Sequence, residues 1–273
     1  MKRTLGIILA LCLLVGMAPV SYAQEPIEIN IYHHMSSDTA RGQATEKILE
    51  MFNQEYEGIY KAVADVNPDF PTYQEKVKAM IAANETPDIF CYTYNPNDLS
   101  RQKSGRLMDL MPYMDDEWKA RFNQSDLDLL TLDGKLYSLP RAQQAAVFYY
   151  NEELLEAAGY DHFPTTWDEF FDCAEALKEN GVAAISLYTA DDAWYATGLL
   201  TYVFASLAGA ELANSGTIEC EEMVQAAEYL QKAFAYTTND AVGANYSVSS
   251  SNFLTGKTAM VIDGPWLIGS IPE

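Results

Sequence analysis

Ile27, Ile29 and Ile31 alternate with Glu28, Asn30 and Tyr32, a period of two that predicts a strand ending at His33-His34. Ala44, Ile48, Met51, Phe52 and Tyr56 then recur at helical spacing, which predicts a helix over 43–56 with that stripe facing a core. A short strand is expected at 60–66. Thr72 and Glu75 have the spacing of a capping box, so a helix is expected behind them, burying Tyr73, Val77, Met80 and Ile81 and closed by Pro87. The run 88–92 is continuously apolar after Asp88, as in a strand covered on both faces. The resulting order, β-α-β-α-β, predicts a mostly parallel sheet with helices on both sides, and in such sheets ligands bind beyond the carboxyl ends of the strands.

The pattern changes in the middle of the chain. Asp133-Gly134 reads as a tight turn, and the apolar run from Leu136 to Tyr150 is broken by Pro140 and the polar residues Arg141 to Gln144, a break read as a crossing point. Asn151 is placed to cap a helix, with Glu152 and Glu153 on the positive end of its dipole and Gly159 ending it. A second capping box, Thr166 to Glu169, opens a helix whose Trp167, Phe170, Phe171, Ala174 and Leu177 share one face and which Gly181 ends. A strand is expected at 182–188. The segment 196–208 is apolar nearly all round, which suits a buried helix too short to cross a bilayer. Met223, Ala227, Leu230 and Phe234 mark a further helix, and 112–132 is an acidic connection without a predicted element.

Turn, strand, crossing, Asn-capped helix and Pro164-Thr165-Thr166-Trp167 follow one another across 133–167, and Gly256-Lys257-Thr258-Ala259-Met260 and Gly264-Pro265-Trp266 come later. This arrangement resembles bacterial extracellular solute-binding proteins of family 1, the maltose-binding-protein-like receptors of ABC importers. The resemblance implies an α/β, two-lobe periplasmic-binding-protein-like (type II) fold. On that scheme residues 24–139 form an N-terminal lobe, 140–147 a hinge crossing and 148–273 a partial C-terminal lobe. Relatives of this family continue through a return crossing, so a C-terminally truncated chain is expected. The implied function is to bind a sugar or oligosaccharide between the lobes and deliver it to an ABC transporter permease. That reading expects a carbohydrate ligand, membrane permease subunits as partners, a monomer, and neither cofactor nor enzymatic activity. The reading from another class is a secreted glycan-degrading hydrolase; peptide and polyamine ligands are the other solutes in view.

Composition sharpens the setting. Lys2 and Arg3 precede an apolar run from Leu5 to Val20 that ends at Ser21-Tyr22-Ala23, the layout of a signal peptide over 1–23 cleaved after Ala23, so an extracytoplasmic location is expected, periplasm or cell surface. The formal charge of −22 repels phosphate backbones and anionic lipid, which disfavours nucleic acid and membrane surfaces as partners. Cys91, Cys173 and Cys220 form no C-x-x-C pair and are read as small buried hydrophobes.

Four strand ends carry candidate chemistry. His33 and His34 follow the first strand; Tyr92, Tyr94 and Asn95 follow the third; Trp194 and Tyr195 follow the strand at 182–188. Trp266 follows Ile262 across Gly264-Pro265, which stops the strand and lets backbone approach closely. Flat aromatic faces suit the C–H faces of a sugar, with amides and carboxylates for its hydroxyls. By the resemblance, Trp266 matches a tryptophan that stacks on sugar, and Gln144 stands at an acidic sugar-binding position past the crossing proline, keeping the hydrogen bonding without the charge. Trp167, on its helix stripe, is assigned to the core. Catalytic patterns are incomplete. Ser100-Arg101-Gln102-Lys103 lacks its Ser-Asp-Asn and Lys-Thr-Gly companions, and Gly256-Lys257-Thr258 has Ser251 where a phosphate loop needs glycine. The histidines lack a second pair at metal-ligand spacing, so no metal is expected.

Overall fold

The computed structural model describes residues 25–92, 107–142 and 144–272, arranged in two compact units, one up to Asp109 and one from Leu110. The signal segment, Tyr94, Asn95 and the Ser-x-x-Lys match lie outside the described residues.

In the first unit, β1 (Ile27–His33) pairs in parallel with β2 (Tyr60–Val66) on one side and β3 (Ile89–Phe90) on the other. Between them run α1 (Ala40–Glu55) and α2 (Phe70–Ala83). The expected order of elements is therefore present, with four corrections. α2 starts before Thr72: Asp69 caps it, its Oδ1 accepting from the Thr72 N–H at 3.0 Å, and Pro71 sits in the first turn, where a missing N–H costs nothing. It ends at Asn84 rather than Pro87, because Asn84 adopts the left-handed conformation, φ 61°, and its N–H bonds back to Ile81. β3 is an edge strand of two residues, so Ile89 is 52% exposed rather than covered on both faces. The expected stripe of α1 is also largely unburied, with Ile48 64% and Met51 60% exposed. The core of this unit is small: Tyr32, Tyr73, Val77 and Ile81, with Phe70, Met80, Phe90, Cys91 and Tyr92 packed against it. Gly42, in the first turn of α1, sits so close to the loop before it that a Cβ there would lie 1.8 Å from the Ser36 carbonyl oxygen.

The second unit opens with helices in a stretch that shows no element by pattern: α3 (Asp116–Lys119), capped by Asp115, and α4 (Gln124–Leu130). β4 (Thr131–Leu132) and β5 (Lys135–Leu136) then form the expected tight hairpin, with Asp133 and Gly134 at φ 51° and 77°. Met114, Leu127, Leu130 and Leu136 are buried here.

The main sheet of this unit, β6-β8-β7, sets β8 (Thr258–Asp263) between β6 (Val147–Tyr150), antiparallel to it, and β7 (Ala183–Ile185), parallel to it. Partners on both edges and helices on the faces leave every residue of β8 buried. α5 (Glu152–Ala157) is capped by Asn151, whose Oδ1 accepts from the Leu154 N–H at 3.0 Å, as its sequence predicts. α6 (Trp167–Glu179) starts at Thr166, whose hydroxyl accepts from the Glu169 N–H; the returning Glu169 carboxylate bonds Thr165 rather than Thr166. Its buried face holds Phe170, Phe171, Cys173, Ala174 and Leu177. Trp167 packs against the same core and its indole N–H donates to Ser206 Oγ at 2.7 Å.

α7 (Trp194–Asn214) is kinked at Gly209, whose φ of 72° and ψ of 168° are non-helical, so the apolar segment expected at 196–208 lies in the helix ahead of that kink. Its inner face, Tyr195, Ala196, Leu199, Val203 and Phe204, is buried in this unit. α8 (Glu221–Ala233) and α9 (Tyr246–Leu254) complete the layer, α8 burying Ala226 and Ala233 rather than Ala227.

Candidate functional site

β8 ends on Asp263, which is fully buried, and the chain then turns through Gly264 and Pro265 into a short helical turn over Pro265–Ser270. A Cβ at Gly264 would lie 2.2 Å from two ring carbons of Trp266, so the indole occupies the space that a side chain there would fill. The Gly264 carbonyl is held from below by the Tyr149 hydroxyl at 3.0 Å. Trp266 thus packs closely on the backbone at Gly264 and stays 40% exposed.

Aromatic side chains from three other segments gather around this strand end. Tyr188 follows β7, Trp194 and Tyr195 open α7, and Tyr246 opens α9. The Trp194 and Trp266 rings lie 5.5 Å apart, tilted by 52°. Tyr195 lies 5.0 Å from Tyr188 and 5.6 Å from Tyr246, both edge to face. The loop ahead of α7 is fixed by Asp192, whose Oδ1 accepts from the Tyr188 hydroxyl at 2.7 Å and the Trp194 N–H at 3.2 Å.

Beneath these rings the Asp263 carboxylate accepts from several donors. Its Oδ2 takes the Tyr195 hydroxyl at 2.5 Å and the Tyr246 hydroxyl at 3.2 Å, its Oδ1 takes the Gly264 N–H at 2.7 Å, and the Trp266 side chain also hydrogen-bonds it. Burial raises the pKa of the carboxyl, and the donors, Tyr195 first, pull it back without cancelling that rise. The phenols of Tyr195 and Tyr246 are raised too, first by burial and then by the neighbouring Asp263 charge.

Of the sequence candidates here, Trp194 and Trp266 come together at the surface of the unit. Tyr195 does not: it is fully buried, because neighbouring helical residues point about 100° apart, and next to the half-buried Trp194 it turns into the core. Tyr246, 36% exposed, and Asp263 belong to the site although the pattern of the chain did not single them out. Gln144 is exposed, just ahead of β6.

In the first unit, His33 ends β1 and is buried, its Nδ1 accepting from the Met35 N–H at 3.2 Å. His34 is half-buried and packs on Phe70 and Tyr73, with centroids 4.8 and 5.2 Å apart. The Tyr73 hydroxyl ties the two strand ends together by donating to the Tyr32 carbonyl at 3.1 Å and to that of Cys91. Tyr92 packs half-buried beside them, so His33, His34 and Tyr92 all stand at the carboxyl edge of the first sheet.

Comparison with known proteins adds three findings. A family model described as bacterial extracellular solute-binding protein matches residues 36–270. A binding protein of Brucella abortus (strain 2308) is 32% identical over 173 residues, 59% of this chain and 40% of that one; the maltodextrin-binding protein of Bacillus subtilis (strain 168) is 25% identical over 292 residues, 100% of this chain and 65% of that one. A solved chitin oligosaccharide binding protein superposes with a TM-score of 0.76 at 28% identity, covering 91% of this chain and 63% of that one. The chain thus spans less than two thirds of the length of each of these relatives.

Proposed function

Because the chain belongs to the bacterial extracellular solute-binding protein family, we propose that it is an extracytoplasmic receptor that binds a sugar or oligosaccharide and hands it unchanged to the permease of an ABC importer. The observation that carries this reading is the aromatic shelf at the end of β8, where Trp194, Tyr246 and Trp266 cluster and the last two are 36% and 40% exposed. Such rings match the C–H faces of a pyranose. The maltodextrin- and chitin-oligosaccharide-binding relatives support the choice of sugar as solute class.

In this reading Trp194, Tyr246 and Trp266 stack on the ligand, and Gln144, on the same unit, offers a polar contact. His33 and Tyr195 act from inside the fold by holding strand and helix ends in place. Residues 1–23 direct export, and no bond of the ligand is made or broken. Tryptophan fluorescence titrated with a panel of oligosaccharides, beside a chromogenic glycoside assay, tests this. A saturable change without turnover is expected; turnover without a saturable change overturns the receptor reading.

A further inference from the structure

Resting on that sugar-binding reading, we propose that Asp263 is a positioning residue whose buried carboxylate holds the exposed rings of Tyr246 and Trp266 in the orientation a sugar face requires. The support begins with an incongruity: β8 runs Thr258, Ala259, Met260, Val261, Ile262 into the core, and then ends on a carboxylate that is fully buried itself. A buried charge opposes folding unless its lone pairs are filled. Here they are filled by four donors of two kinds. Tyr195 and Gly264 belong to the interior, whereas Tyr246 and Trp266 are the exposed members of the shelf. The carboxylate is therefore the common anchor of core and surface.

An ionised carboxylate suits this task because it accepts only, and all of its neighbours donate. An amide puts an N–H₂ among those donors, and protonation puts an O–H there. Rings tethered at their polar ends lose rotational freedom before any ligand arrives, which lowers the ordering cost of binding. The groups facing Asp263 are Tyr149 from β6, Tyr188 after β7, Tyr195 from α7, Tyr246 from α9, and the N–H groups of Gly264 and Trp266. As the pH falls from neutrality toward the raised carboxyl pKa, the tether weakens, and sugar affinity falls with it.

The test compares the wild-type full-length protein with Asp263→Asn and Tyr246→Phe, using maltotriose and chitotriose in calorimetric titrations, and near-ultraviolet circular dichroism of the sugar-free protein. Losing a charge-assisted anchor predicts about tenfold weaker binding for Asp263→Asn, and about threefold for Tyr246→Phe, which removes one hydroxyl. The acid limb of the affinity profile flattens in Asp263→Asn, and the dichroism of the Trp194–Trp266 pair diminishes. Wild-type affinity, acid limb and dichroism in Asp263→Asn overturn the inference. If Asp263→Asn fails to fold, Tyr246→Phe decides, and unchanged affinity and dichroism overturn it. A wild-type protein that binds neither trisaccharide sinks the sugar reading instead. The dichroism then decides by itself whether Asp263 orients the rings, a loss supporting that role and an unchanged band overturning it.

Discussion

β8 and β3 are both short apolar strands, yet every residue of β8 is buried while Ile89 of β3 is half exposed. The difference lies in neighbours: β8 has a strand on each side, and among the described residues β3 pairs only with β1. The helices repeat the contrast. α6 and α1 each carry an apolar stripe, but Phe170, Phe171, Ala174 and Leu177 of α6 enter a large core, whereas Ile48 and Met51 of α1 remain exposed. An apolar pattern says which face seeks burial; only the rest of the fold supplies the cover.

The largest test of this contrast sets the two stripes against each other. Met260→Ala, at a fully buried position of β8, should lower stability by about 2–5 kcal/mol through lost contacts and a cavity. Ile48→Ser on α1 should stay within about 0.5 kcal/mol, as surface substitutions do. Denaturation midpoints read both, and a comparable loss from Ile48→Ser would break the comparison. Gly42→Ala probes a tight spot of the more open unit, where the new Cβ meets backbone that cannot rotate away. It should destabilise by about 1–3 kcal/mol, the range for overpacking, and a neutral melt would mean that the Ser36 loop yields freely.

The smallest effect sits on the surface of the well-packed unit. His162 bonds Asp161 at 2.7 Å and Glu169 at 3.0 Å, and both carboxylates, Asp161 first, raise its pKa. A raised value in the folded state means that its support is complete below the ordinary imidazole pKa and is lost as the pH rises through the raised one. The difference in Tm between wild type and His162→Gln should therefore shrink from mildly acidic to alkaline pH. A difference that grows instead would reverse the sign of that coupling.

What the sequence discloses follows the range of the interaction behind each feature. Asn151 and the Thr166–Glu169 pair are legible because a cap is satisfied within three residues. Asp69 escapes notice because Thr72 offers the same chemistry three residues later. The strand order βαβαβ is legible, but the exposure of α1 and Ile89 is not, since cover is supplied by distant segments. Trp266 announces itself through Gly264-Pro265. Tyr246 and Asp263 do not, because a tyrosine after a helix cap and an aspartate at a strand end become a pair only when α9 and β8 are brought side by side.

The contact between Gly264 and the indole bears on how such a shelf can diversify. Any codon change at 264 that adds a side chain evicts the ring, so selection has no graded steps to explore at that position. Variation in preference can accumulate instead at the rim, at Trp194 and Tyr246, where a replacement reshapes the outline without dislodging the centre. Descendants of one such ancestor should then differ at those two positions while the glycine and its tryptophan persist together or vanish together.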